Sequence, residues 1–80
     1  MMETRYAIAR PEAGKKQWFG GWIPGSGRKP RWRSAREDAQ IFGELFHARE
    51  TAAELEKQGI RVEVRYFHRL IHREGCIWLR

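Results

Sequence analysis

His68, His72 and Cys76 are spaced four and four apart, the first place in this sequence where side chains could do chemistry. On a helix that spacing would bring three metal-ligating groups to one side. The residues around them read instead as strand, turn and strand, where the three do not converge, so no metal is expected. Cys76 is the lone cysteine and stands beside Ile77 and Trp78, the setting of a small packed hydrophobe. His47 has Glu44 and Glu50 as neighbours, as many surface histidines do. Gly25-Ser26-Gly27-Arg28-Lys29 imitates a phosphate loop, but it lacks the longer glycine spacing, and Pro30 replaces the Ser or Thr that should follow the lysine. No nucleophile, base and orienting group can be assembled. A protein that is not an enzyme and needs no cofactor is expected.

Interleaved bases and aromatics are the sharper feature. Arg28, Lys29, Arg31, Trp32, Arg33 and Arg36 could neutralise phosphates while the indole stacks on a base. The bland alternative is that Trp32 packs inward, as aromatics beside a helix start commonly do. A second basic row follows from strand alternation. If Ile60, Val62, Val64 and Tyr66 face a helix, then Arg61, Glu63, Arg65, Phe67 and Arg69 line the opposite face. An open sheet face bearing arginines and an aromatic resembles nucleic-acid-binding sheets, though an ordinary solvated face has the same pattern. Trp18 and Trp22 share one parity and Phe19 and Ile23 the other. One of those faces is therefore partly exposed unless the sheet is covered on both sides.

The elements that must position these residues can be read from the alternation. Strands are expected at Arg5–Arg10, Gln17–Ile23, Arg31–Arg33, Ile60–Tyr66 and Cys76–Leu79. Turns are expected at Pro11–Gly14 and Arg73–Gly75. The Gly20-Gly21 pair marks a bulge or a close backbone approach. Ser34 with Glu37 fits a capping box that starts a helix at Ala35, and Gly59 is a natural stop. Ile41, Leu45, Ala48, Ala52 and Leu55 form one helical stripe, expected to bury against Val62 and Val64. Ala35, Ala39, Phe42, Phe46 and Ala53 form another. The helix is thus continuous, kinked, or split in two near Gly43–His47. The expected fold is α+β: an antiparallel sheet of three to five strands with one long helix on one face, in the order β-β-(β)-α-β-β.

Eighty residues allow a single domain, 1–80, with one modest core. The absence of a cysteine pair and of an apolar opening run leads to the expectation of a soluble, cytoplasmic protein with no membrane partner. The net charge of +6 is unevenly placed. Between Ser34 and Gln58 three bases face six acids, a net of −3, which leaves +9 on the remainder. An acidic helix on a basic body constrains the choice of partner.

Trp32, Ala39, Phe42, Phe46, Ala52, Leu55, Val62 and Val64 together resemble small proteins that phages and mobile elements encode. In these a strand pair and a tryptophan lead into a helix with Ala and Phe anchors, and a Val-x-Val strand closes the fold. Their best-characterised functional group is the anti-CRISPR proteins. That resemblance implies a non-enzymatic inhibitor, monomer or weak dimer, which binds a bacterial CRISPR effector complex and blocks its access to DNA. Glu44, Glu50 and Glu54 would dock on basic protein, with Arg28, Lys29, Arg31, Trp32 and Arg33 near nucleic acid. Many anti-CRISPR proteins are acidic mimics of nucleic acid, and the basic charge here departs from that. The alternatives are a basic nucleic-acid-binding protein that uses the Arg28–Arg36 loop and an open sheet face, and a phage structural or adaptor protein.

Overall fold

Alternation in the β-rich parts of the chain builds five strands: β1 (Met2–Glu12), β2 (Lys15–Trp22), β3 (Pro30–Arg33), β4 (Glu63–His72) and β5 (Gly75–Leu79). A computed structural model describes residues 2–12, 15–72 and 75–79, with only the backbone described for Met2, Glu12, 69–72 and 75–79. The strands form one antiparallel sheet in the order β3-β2-β1-β4-β5. One helix, α1 (Leu45–Lys57), packs on one face. This is the α+β class that the sequence predicts. Of the expected turns, Ala13, Gly14, Arg73 and Glu74 lie outside the described residues, as do the side chains of Arg69, His72 and Cys76.

Gly59 ends α1 as expected, at φ +82°. Its N–H donates to Glu56 O at 2.9 Å, and the Ile60 N–H reaches back to Leu55 O at 3.1 Å. These two bonds satisfy carbonyls that the last helical turn leaves open. Ile60 then packs against the core, which fixes the exit of the chain toward β4.

The helix start differs from the expectation. Residues 36–38 form only a 3-10 turn, and Ser34 is not a helix cap: Ala35 precedes the turn without a side-chain cap bond. The cause lies in the sheet. β2 pairs with β1 only as far as Trp18↔Ala9, and its register against β3 shifts between Phe19 and Trp22. Backbone groups of Tyr6 and Phe19 are left facing the gap, and a buried amide must find a partner. The segment Gln40–Phe42 supplies it. Gln40 N–H donates to Phe19 O at 2.8 Å, while Tyr6 and Phe42 exchange two bonds at 2.9 and 2.8 Å. The chain therefore passes between β1 and β2 in extended form, from one sheet face to the other, and becomes helical only at Leu45.

That crossing divides the core in two. On the helix side Ile8, Phe19, Phe42, Ala48, Ala52 and Leu55 are buried, with Val62 and Val64 packed against them as expected. On the second face Ala7, Ala9, Trp18, Ala39 and Phe67 form a smaller cluster, joined by Ile41. Of the expected helical stripe, Ile41 thus belongs to the other cluster and Leu45 is only half-buried. Phe46 is 56% exposed, and Ala53 is also exposed. Leu45→Ala should cost about 1 kcal/mol, below the roughly 2–5 kcal/mol of a closed aliphatic site. Urea unfolding measures it, and a loss above about 3 kcal/mol would place Leu45 in the closed core. No helix among the described residues is long and apolar enough to cross a membrane.

Candidate nucleic-acid interface

The second face carries the basic site, and β1 is its floor. Ala7 and Ala9 are small and fully buried, which leaves room above them for Ala39 and the 3-10 turn. In register with them stand Trp18 opposite Ala9, Arg65 opposite Ala7, and Phe67 opposite Arg5. Arg33 pairs with Trp18 from β3, so strand alternation places Arg31 on the same side. Both arginines are exposed. Gly20 allows Arg33 to lie across the strand, because a Cβ there would meet the Arg33 Cγ at 2.7 Å.

Cations cover the aromatic rings of this face. The Lys16 ammonium stands 5.9 Å from the Trp18 ring centre, and the Arg36 guanidinium stands 4.9 Å from that of Phe67. The two rings are 5.7 Å apart and tilted. Phe67 is only 6% exposed. The expectation of an open face with Phe67 ready to stack on a base is therefore corrected. The 3-10 turn roofs it, because Trp18 and Phe67 together are too apolar to be left in water.

Acids on this face neutralise only part of its charge. Glu63 Oε1 accepts from Arg65 Nη1 at 3.1 Å, an exposed pair that solvent weakens, and Glu3 pairs with Arg5. Among the described residues no acid bridges Lys16, Arg31 or Arg33.

The expected basic loop does not act as one patch. Arg28 turns to the helix side, 5.7 Å over the Trp22 ring, and its carbonyl accepts from Gln58 Nε2 at 3.0 Å. Lys29 is exposed, and its carbonyl accepts from the Ile23 N–H at 2.8 Å. Trp32 packs inward, edge-on to Phe19 at 6.2 Å, with the Arg10 guanidinium 5.2 Å above it. Its ring is not free for a base. Trp22 also departs from simple parity: the bulge at Gly20-Gly21, with Gly21 at φ +104°, brings it to Phe19 at 5.0 Å on the helix side. Arg61 is exposed but precedes β4. Lys16 was missed as a site residue, although the alternation Lys16–Trp18 along β2 was its signal.

The acidic segment also divides. Glu37 and Asp38 sit in the 3-10 turn, whose Arg36 reaches Phe67 on the second face. Glu44 is the exposed residue preceding α1, with no side-chain cap bond. Glu50 and Glu54 line a groove of about 820 Å³ beside α1, shared with Arg28, Ile41, His47 and Lys57. No continuous acidic helix face runs from Ser34 to Gln58, because residues 35–44 are not α-helical. Among the described residues no group of His, Cys, Asp and Glu is arranged to hold a metal ion. No protein-family model, curated protein or solved structure matches this chain.

Proposed function

We propose that this protein binds nucleic acid directly, without catalysis, through the face that carries Lys16, Arg31, Arg33, Arg36 and Arg65. One observation carries the reading: these five cations share one side of the sheet with the Trp18–Phe67 cluster, and among the described residues no acid bridges Lys16, Arg31 or Arg33. Guanidinium and ammonium groups on a firm sheet meet phosphates without a large ordering cost. Because the aromatic rings are covered, base stacking contributes little and binding is insensitive to sequence. The test is duplex binding followed by fluorescence anisotropy at several salt concentrations. Replacing Arg31 and Arg33 together by Gln should lessen the salt slope by about 2, since each lost phosphate contact removes roughly 0.9. An unchanged slope would sink the reading.

A second reading is the phage-type inhibitor that docks on a CRISPR effector complex. It is favoured by Glu50 and Glu54, which border the groove beside α1 close to the exposed Phe46. The paired change Glu50→Lys and Glu54→Lys separates the two. On the nucleic-acid reading the variant stays folded and its duplex affinity holds or rises, because charge is added away from the core. Loss of capture of a purified effector complex by that variant, with the Arg31 and Arg33 variant still captured, would favour the inhibitor.

A further inference from the structure

Within the extended basic face lies a smaller recess that shares Lys16, Arg36 and Arg65 with it. A pocket of about 270 Å³ opens between the 3-10 turn and strands β2 and β4, lined by Lys16, Trp18, Arg36, Arg65, Tyr66 and Phe67. Among the described residues that line it, Lys16, Arg36 and Arg65 are cations and none is an acid. Glu63 touches Arg65 from outside the pocket, in a pair whose two side chains are 43% and 47% exposed. Glu37 and Asp38 follow Arg36 along the turn, are exposed, and do not line it.

We infer that this pocket is a binding site for a phosphate monoester. The floor consists of Trp18 and Phe67, both almost fully buried. Low-dielectric walls under a cluster of like charges focus the field and strengthen attraction for an anion. The same floor excludes the rival ligand, a planar base, because Lys16 and Arg36 already occupy the ring faces. Arg65 offers a planar donor fork and Lys16 a mobile point charge, with the positive charge of Arg36 beside them, a set that suits tetrahedral phosphate oxygens. A continuous backbone passes over such a recess without filling it. A phosphate at a strand end, or on a free nucleotide, has the charge and reach to enter. The ligand is thus the same group from either source, and the pocket does not depend on nucleic acid being the larger partner.

The experiment compares single strands of about 12 nucleotides that carry a 5′-phosphate or a 5′-hydroxyl, at about 150 mM salt. It also measures binding of inorganic phosphate and of a mononucleotide. The phosphorylated strand should bind about tenfold tighter, the gain expected from charge-assisted bonds to the terminal group. Lys16→Ala and, separately, Arg65→Gln should remove most of that preference. Both side chains are exposed, so circular dichroism should show an unchanged fold. Tight and equal binding of both strands, or a preference that survives both variants, overturns the pocket and leaves the nucleic-acid reading standing. Binding of phosphate and mononucleotide, lost in the variants, while neither strand binds, keeps the pocket, assigns it to free nucleotides and removes the nucleic-acid reading. No binding of any probe overturns both.

Discussion

Phe19→Ala should lower the free energy of unfolding by about 3–5 kcal/mol, the range for emptying a closed aromatic site. Phe19 is fully buried and joins three elements at once. Its ring lies edge-on to Trp22 at 5.0 Å and to Trp32 at 6.2 Å, and parallel to Phe42 at 6.5 Å. Its carbonyl also accepts the Gln40 N–H, which anchors the segment that crosses between β1 and β2. Neighbours held by backbone pairing cannot easily collapse into the space, so the loss should fall toward the upper end. A chain of this size has a stability of about the same order, and the variant should be largely unfolded at moderate temperature. Urea denaturation of both proteins measures the difference. Phe46→Ala is the control and should stay within about 0.5 kcal/mol, because that ring is already in water. Equal losses at the two positions would show that the core has been assigned to the wrong side chains.

Raising salt from about 50 to about 200 mM should weaken duplex binding by several hundredfold. The estimate follows from the five cations of the second face. If each meets one phosphate, the logarithmic slope is close to −4.5, and a fourfold rise in salt multiplies accordingly. The Arg31 and Arg33 double variant should bind more weakly at low salt and fall only about fortyfold over the same interval, on the same arithmetic. Affinities of wild type and variant should therefore converge as salt rises. A binding surface based on base stacking or on apolar contact would behave otherwise, with affinity nearly constant across the series. Salt-insensitive duplex binding would remove electrostatic contact as the basis of the function.

Local features were legible wherever neighbouring residues decide the conformation. The alternation from Ile60 to Val64 marked the side that packs under α1, but Tyr66, expected to pack there with them, is 68% exposed. Gly59 closes the helix because only a residue free of a Cβ takes φ +82° at low cost. The paired glycines at 20 and 21 marked the bulge. The site was legible in part. Arg31, Arg33, Arg65 and Phe67 were singled out from residue type and parity, and they do share one face. Their surroundings were not visible, since Lys16 comes from β2 and Arg36 from a turn that folds over the sheet.

Residues 35–44 show what only the tertiary structure could decide. Ala35, Ala39, Phe42 and Phe46 recur every three or four residues, a spacing that reads as one helical face. In the folded chain Ala39 packs on one side of the sheet and Phe42 on the other. A helix over this stretch would satisfy its own amides and leave those of Tyr6 and Phe19 without partners. The extended path pairs both strands and buries both side chains, so it prevails over local helix preference. The demand comes from the divergence of β1 and β2 at Tyr6 and Phe19, too far away in the chain for any local pattern in residues 35–44 to register it.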